Sequence, residues 1–232
     1  MAAKLAEIFG GEGSKSALSH IAARSPREVA VVAEKSLDTL FHSLKSSIVR
    51  LIVDDQPAAS GFFVAPGRVL TTAHALRTAD ARAEVQLNTG EKLNAMVVAW
   101  DNDTDLALLE TGRQDLPALT LQAPGRSEEE VAAIIGEEIT AIGYVGSSPE
   151  PQVRVGLITD IKVRVRGFSG DAMITTKLDT AYGFSSSPAV NAKGHVIGVV
   201  RLYSSGGYNL LISADSVLRF LDGLGVVVSV SR

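Results

Sequence analysis

The sequence predicts an all-β protein, a sandwich or barrels, with helices at both ends. Two observations carry that expectation. From Ser47 onward, short runs rich in Val, Ile, Thr and Phe alternate with turns built on Gly, Pro, Asn and Asp. Their close spacing argues against alternating β-α units. Before Ser47 the apolar residues recur with a helical period instead.

In order, a short helix is expected over Ala2 to Phe9, broken by Gly10-Gly11-Glu12-Gly13. Ser25-Pro26-Arg27-Glu28 then reads as a helix start, with Ser as N-cap, Pro at the first helical position and Glu three residues after the cap. Val29, Val32, Leu37, Leu40, Phe41 and Leu44 continue it as an amphipathic stripe. Six strand-like runs follow: SIVRLIV, SGFFVA, RVLTTAHAL, AEVQLN, KLNAMVVAW and LALLE. A second series runs PALTLQ, EEITAIGYV, VRVGLITDIKVRV, AMITTKL, PAVN, HVIGVVRLY and YNLLIS. Ala123–Gly136 carries charge and no strand pattern, so a loop or short helix is expected early in that series. Ser213-Ala214-Asp215-Ser216 opens a closing helix with a Gly stop. The expected division is a helical extension over 1–45, a first β unit over 46–115 and a second over 116–232.

Composition narrows the function. The chain has 232 residues, 46% of them hydrophobic and 21% charged, which suits a folded core. A net charge of −4 gives no general attraction to nucleic acid or anionic lipid. Cysteine is absent, which excludes disulfides, thiolate metal sites and a Cys nucleophile. No apolar run approaches the ~18 residues of a membrane helix, and no secretory signal is visible at the start. A cytoplasmic protein without metal or cofactor is the expectation.

The histidines are His20, His42, His74 and His195. The first two fall in the helical lead, and His195 follows Lys193-Gly194 at a hairpin tip. His74 instead ends an apolar β run. Judged singly, His74 reads as a buried structural residue, Asp105 as a turn residue before a strand, and Ser185 as part of a polar loop. Together they read differently. A serine hydroxyl needs an imidazole to take its proton. The imidazole needs a carboxylate to hold its tautomer and stabilise the imidazolium. A glycine shortly before the serine lets backbone N–H groups face a developing oxyanion. The chain supplies these in the order His, Asp, Ser, unlike the subtilisin and α/β-hydrolase orders.

On these residues the sequence resembles the trypsin-like peptidases, closest to the HtrA/Deg protease domain. SGFFVAPGRVLTTAHAL is similar to the family's His block, and DNDTDLALLE to its Asp-Leu-Ala-Leu-Leu block. GEEITAIGYVG and VGLITDI resemble the strands that follow, and GFSSSPAVNAKGHVIGVV the nucleophile block. The likeness runs from about Ser47 to Leu221, and no PDZ domain is expected to follow. It implies two six-stranded antiparallel β-barrels of trypsin type, with an N-terminal helical extension and a short C-terminal helix. It also implies a serine endopeptidase: His74 as general base, Asp105 as its orienting carboxylate, Ser185 as nucleophile, and the N–H groups of Gly183 and Ser185 as oxyanion hole. The alternative is a protease-like module that binds a peptide or regulatory protein without cutting it.

Three positions depart from the family pattern. Phe184 stands where the family has Asp or Asn, and Ser186 and Ser187 where it has glycines. The first removes the trypsin type of activation by a salt bridge. The other two are expected to crowd the nucleophile or hold its loop in an inactive turn, so latency until a partner or oligomer orders the loop is a further expectation. The helical lead is expected to pack on the barrels, or else to mediate oligomers or dock such a regulatory partner. Counted back from Ser185 without gaps, Asp179 falls at the base of the S1 pocket and would select Arg or Lys. With a short deletion it would not, and small aliphatic side chains would be preferred. Arg201, Leu202 and Tyr203 are expected on the substrate-pocket wall, where Arg201 and Tyr203 would neutralise or fill it.

Overall fold

The computed structural model describes residues 36–123, 134–163, 173–178, 181–204 and 208–231. Most of the predicted lead, including His20 and the expected partner dock, lies outside them. Helix α1 spans 36–44. Within it His42 Nδ1 meets Asp38 one turn earlier, as an exposed surface pair. A single 3₁₀ turn, Lys45–Ser47, follows.

The first barrel comprises β1 (Ile48–Val53), β2 (Gln56–Ala65), β3 (Arg68–Thr72), β4 (Ala83–Gln86), β5 (Lys92–Asp101) and β6 (Leu106–Thr111). It closes in the order β1-β2-β3-β6-β5-β4. The second comprises β7 (Glu138–Gly143), β8 (Gln152–Val163), β9 (Met173–Lys177), β10 (Pro188–Val190), β11 (Val196–Ser204) and β12 (Tyr208–Ser213). It closes as β7-β8-β9-β12-β11-β10, the same antiparallel plan repeated. One-turn helix α2 (Ala73–Leu76) interrupts the first barrel after β3, and α3 (Ala214–Gly223) closes the fold. The double barrel expected from the sequence is therefore what the chain forms.

Each barrel fills with its own inward residues. Val49, Leu51, Phe63, Val69 and Leu109 centre the first core, and Ile139, Ile158, Phe184, Val200 and Leu211 the second. All of β1 is buried, charged Arg50 included. Arg50 accounts for this by reaching the second barrel: its guanidinium donates to the Ser148 carbonyl and lies 4.7 Å from the Tyr144 ring centroid. That geometry combines a charge-assisted hydrogen bond with a cation–π contact.

One strand expectation is corrected. PALTLQ is not a barrel strand but the connection between barrels. Leu119 N–H donates to the Phe63 carbonyl of the first barrel at 2.8 Å. Leu121 then bridges in parallel to Val196 on one side and to Val230 of the C-terminal segment on the other. Its alternating pattern is real, but it pairs only with the first residue of β11 and the C-terminal segment, through isolated bridges. Of the stretch 123–136, residues 124–133 lie outside those described. The closing helix starts as expected, with Ser213 Oγ accepting from Ser216 N–H and Asp215 in the first turn, where the helix dipole favours a carboxylate.

Candidate active site

Helix α2 is too short to hold itself, since the first N–H groups of any helix lack internal partners. Here three successive N–H groups find them elsewhere. Thr72 N–H donates to Ser186 Oγ at 3.0 Å, Ala73 N–H to the Asp105 carbonyl at 3.1 Å, and His74 N–H to Asp105 Oδ1 at 2.9 Å. Trp100 Nε1–H adds a bond to the Ala73 carbonyl at 3.2 Å. Asp105 reaches both amides because its backbone is left-handed, at φ 55°. Asp tolerates that region better than most side chains. Asp101 shapes the preceding turn, accepting from Asp103 N–H at 2.9 Å and from Thr104 Oγ1 at 2.6 Å.

In this frame His74 Nδ1 lies 2.9 Å from Asp105 Oδ2 and 3.1 Å from Oδ1. The carboxylate is 4% exposed and the imidazole 46% exposed, so the ring runs from a dry partner to open solvent. Burial alone would push the Asp105 carboxyl up. Hydrogen bonding and charge from His74, with a hydrogen bond from Arg201, outweigh it and hold the group below its ordinary value. With Nδ1 tied to Asp105, Nε2 is the nitrogen left to exchange a proton.

The loop Gly183–Ser187 belongs to the second barrel. Gly183 has φ +94°, and a Cβ there would meet the Gly146 nitrogen at 2.9 Å, so glycine is required twice over. Phe184 is fully buried in the second core and pins the loop from below. An apolar anchor stands where the family pattern has Asp or Asn, and burying a Phe side chain contributes about 1.5–3 kcal/mol. Phe184 N–H donates to the Ala181 carbonyl, Ser186 N–H to that of Val200 and Ser187 N–H to that of Phe184. The alternate groups differ. Among the described residues, the N–H groups of Gly183 and Ser185 donate to no protein acceptor. Ser185 itself is half-buried.

The two serines that replace glycines do not crowd the nucleophile. Ser186 adopts the left-handed conformation at φ 67°, and its side chain is fully buried, as is that of Ser187. Ser186 Oγ lies 2.6 Å from Thr72 Oγ1 and also accepts the Thr72 N–H. A non-glycine in this region costs roughly 1–2 kcal/mol, and two buried hydrogen bonds of about 0.5–1.5 kcal/mol each offset it. Ser187 packs at Gly143, where a Cβ would overlap its hydroxyl. Both side chains thus point into the protein, and Ser186 clasps the segment that leads to His74.

Ser60 of β2 completes the junction. Its N–H donates to the Ser185 carbonyl at 2.9 Å, its hydroxyl donates to the Gly183 carbonyl at 3.0 Å, and the same hydroxyl accepts Tyr144 N–H at 2.8 Å. Thr71 Oγ1 in turn donates to the Ser60 carbonyl.

The structure therefore brings His74 and Asp105 into contact and ties the Gly183–Ser187 loop to β2 and to the start of α2. Arg201, expected on the substrate-pocket wall, bonds to Asp105, Nε donating to Oδ2 at 2.7 Å. Leu202 and Tyr203 lie on β11, paired in register with Leu210 and Asn209. Asp179 lies outside the described residues. Thr72, Ser60 and the Arg201 contact were not read from the sequence. The available signals were a hydroxyl residue just before the His helix, the Ser of SGFF, and one charged residue inside the apolar run HVIGVVRLY.

Comparisons with known proteins identify the family and the fold. Residues 59–199 match the trypsin-like peptidase domain family. Serine protease HTRA1 of Xenopus laevis is 31% identical over 201 residues, covering 83% of this chain and 42% of that protein. A probable periplasmic serine endoprotease DegP-like of Halomonas elongata is 34% identical over 182 residues, 75% of this chain and 36% of that one. The chain thus spans less than half the length of these relatives. Among solved structures, Deg5 superposes with a TM-score of 0.68 over 84% of this chain and 98% of that one, at 24% identity.

Proposed function

This chain belongs to the trypsin-like peptidases, and we propose that it is a serine endopeptidase of HtrA/Deg type, cutting peptide bonds in peptide or protein substrates through an acyl-enzyme. The observation that carries the reading is the bonded His74–Asp105 pair on the segment that Ser186 clasps, next to a serine whose own N–H and that of Gly183 have no protein acceptor among the described residues. The chemistry follows from those groups. Ser185 Oγ attacks the scissile carbonyl carbon as His74 Nε2 takes its proton. Asp105 stabilises the imidazolium so formed, and the N–H groups of Gly183 and Ser185 hold the negative oxygen of the tetrahedral intermediate. Collapse expels the amine, which takes the proton back from His74. Water then repeats the sequence on the acyl-enzyme, releasing the acid and freeing Ser185.

A fluorophosphonate probe tests this directly, because it labels only an activated serine. The expected result is labelling of the full chain that Ser185→Ala abolishes, with peptidase turnover falling by ~10⁴ or more. Labelling that survives Ser185→Ala but disappears in Ser186→Ala or Ser187→Ala would move the nucleophile and overturn the assignment. A folded wild-type chain that takes no label would favour the binding-module alternative.

A further inference from the structure

Arg201 interrupts an apolar strand, and β11 carries an irregularity there. Val200 pairs with Leu211 and Leu202 with Leu210, which leaves Arg201 outside the ladder. A bulge re-aims one side chain. This one sends its guanidinium across to the first barrel, where Nε donates to Asp105 Oδ2 at 2.7 Å. Both partners are largely out of water, at 21% and 4% exposure.

The acceptor sites of Asp105 are therefore divided. Oδ1 takes His74 N–H, Nδ1 of the ring lies within 3.1 Å of both oxygens, and Oδ2 also takes Arg201. Among the described residues, His74 from α2 and Arg201 from β11 are the ionisable side chains bonded to this carboxylate. Asp101 and Asp103 belong to the turn before β6, where the Asp101 carboxylate accepts from Asp103 and Thr104. Arg77 follows α2 and is exposed.

We propose that Arg201 is a positioning residue that acts through Asp105 to set the pH range of the His74 base. It holds the carboxylate against the imidazole and offsets its negative charge, so the ring sheds its proton at lower pH than it would beside Asp105 alone. The inference rests on the reading of His74 as base. A positive charge this close disfavours a second one on the far side of the same carboxylate, and the dry surroundings strengthen the effect. The consequence is a site whose base stays neutral, and therefore competent, further into mildly acidic conditions. The same charge also reduces the stabilisation of the imidazolium formed during attack.

The test follows the rate of fluorophosphonate labelling against pH in wild type, Arg201→Gln and Arg201→Lys, alongside NMR titration of the His74 ring protons. Arg201→Gln removes the charge and retains a donor. The acid limb of its profile is expected to move up by about one pH unit, so that labelling well below both midpoints falls about tenfold. Arg201→Lys keeps a positive charge and is expected to show less than half that shift. Should Arg201→Gln not fold, Arg201→Met keeps the volume, removes the charge and reads the same limb. Neutral variants whose acid limb coincides with that of wild type overturn the proposal, and so does a lysine variant that shifts as far as glutamine. Failure of the underlying reading is separate, since wild-type labelling would then persist in Ser185→Ala.

Discussion

In the first barrel, His74 and Asp105 are held mainly by that barrel's own chain: the α2 amides bond to Asp105 and Trp100 secures the turn, while Arg201 and Ser186 reach in from the second barrel. In the second, which repeats the same strand order, the Gly183–Ser187 loop owns one deep anchor, Phe184, and takes further hydrogen bonds from Ser60 and Thr72 across the junction. The first half of the site is thus largely a local construction, while the second leans more on the pairing of the barrels. Disturbing the first half should damage chemistry with the fold intact. Disturbing the junction should damage stability and chemistry together.

The largest effect is expected at Asp105. Asp105→Asn keeps the shape but removes the charge that fixes the imidazole tautomer, so kcat should fall by ~10⁴ with a near-native circular dichroism spectrum. Full turnover in this variant would mean that the first half does not work through the His–Asp bond. The same residue should appear in acid stability. Its carboxyl is held below its ordinary value in the folded chain. Its contribution is therefore present above the unfolded value near ~3.9 and is lost as pH falls through the folded value. The melting temperature of wild type should accordingly drop more steeply below about pH 4 than that of Asp105→Asn.

At the junction, Ser60→Ala removes the hydroxyl that bridges the Gly183 carbonyl and Tyr144 N–H. Leaving both without a partner in a buried place should lower stability by about 1–3 kcal/mol in urea unfolding. The loop that carries the proposed oxyanion donors would shift with it, lowering kcat/KM by about 10- to 100-fold. A loss of stability with unchanged kcat/KM would show that the loop keeps its shape without the first barrel, which breaks the contrast between the two halves.

The smallest effect separates conformation from clasp at Ser186. Ser186→Ala keeps the strained left-handed backbone and loses both bonds to Thr72. Ser186→Gly loses the same bonds but relieves the strain. Alanine should therefore be the less stable of the two by about 1 kcal/mol, measured by chemical denaturation. Equal stabilities would mean that the φ at this position carries no strain.

Much of this was legible in the residues, and the illegible parts have a common cause. The strand runs, the closing helix and the order His74, Asp105, Ser185 depend on local composition and spacing, which a chain displays without folding. PALTLQ looked like a barrel strand because alternation reports a half-buried extended segment and is silent about which neighbour it pairs with. Ser186 and Ser187 looked obstructive because a side chain's direction is set by φ and by what lies opposite, here Thr72 and Gly143.

By itself, then, the sequence determined an all-β chain with helices at its ends, the residue types of the proposed nucleophilic site and the chain order in which they arrive, and its resemblance to the trypsin-like peptidases implied the double-barrel plan. Periodicity and turn chemistry act over a few residues and survive in one dimension. The tertiary structure alone decided that Ser186 clasps Thr72, that Ser60 spans both barrels and that Arg201 bonds to Asp105. Those bonds join residues from 96 to 123 positions apart. Such partners meet only when the two closed barrels pack against each other, and a buried polar group bonds to whatever partner that packing delivers.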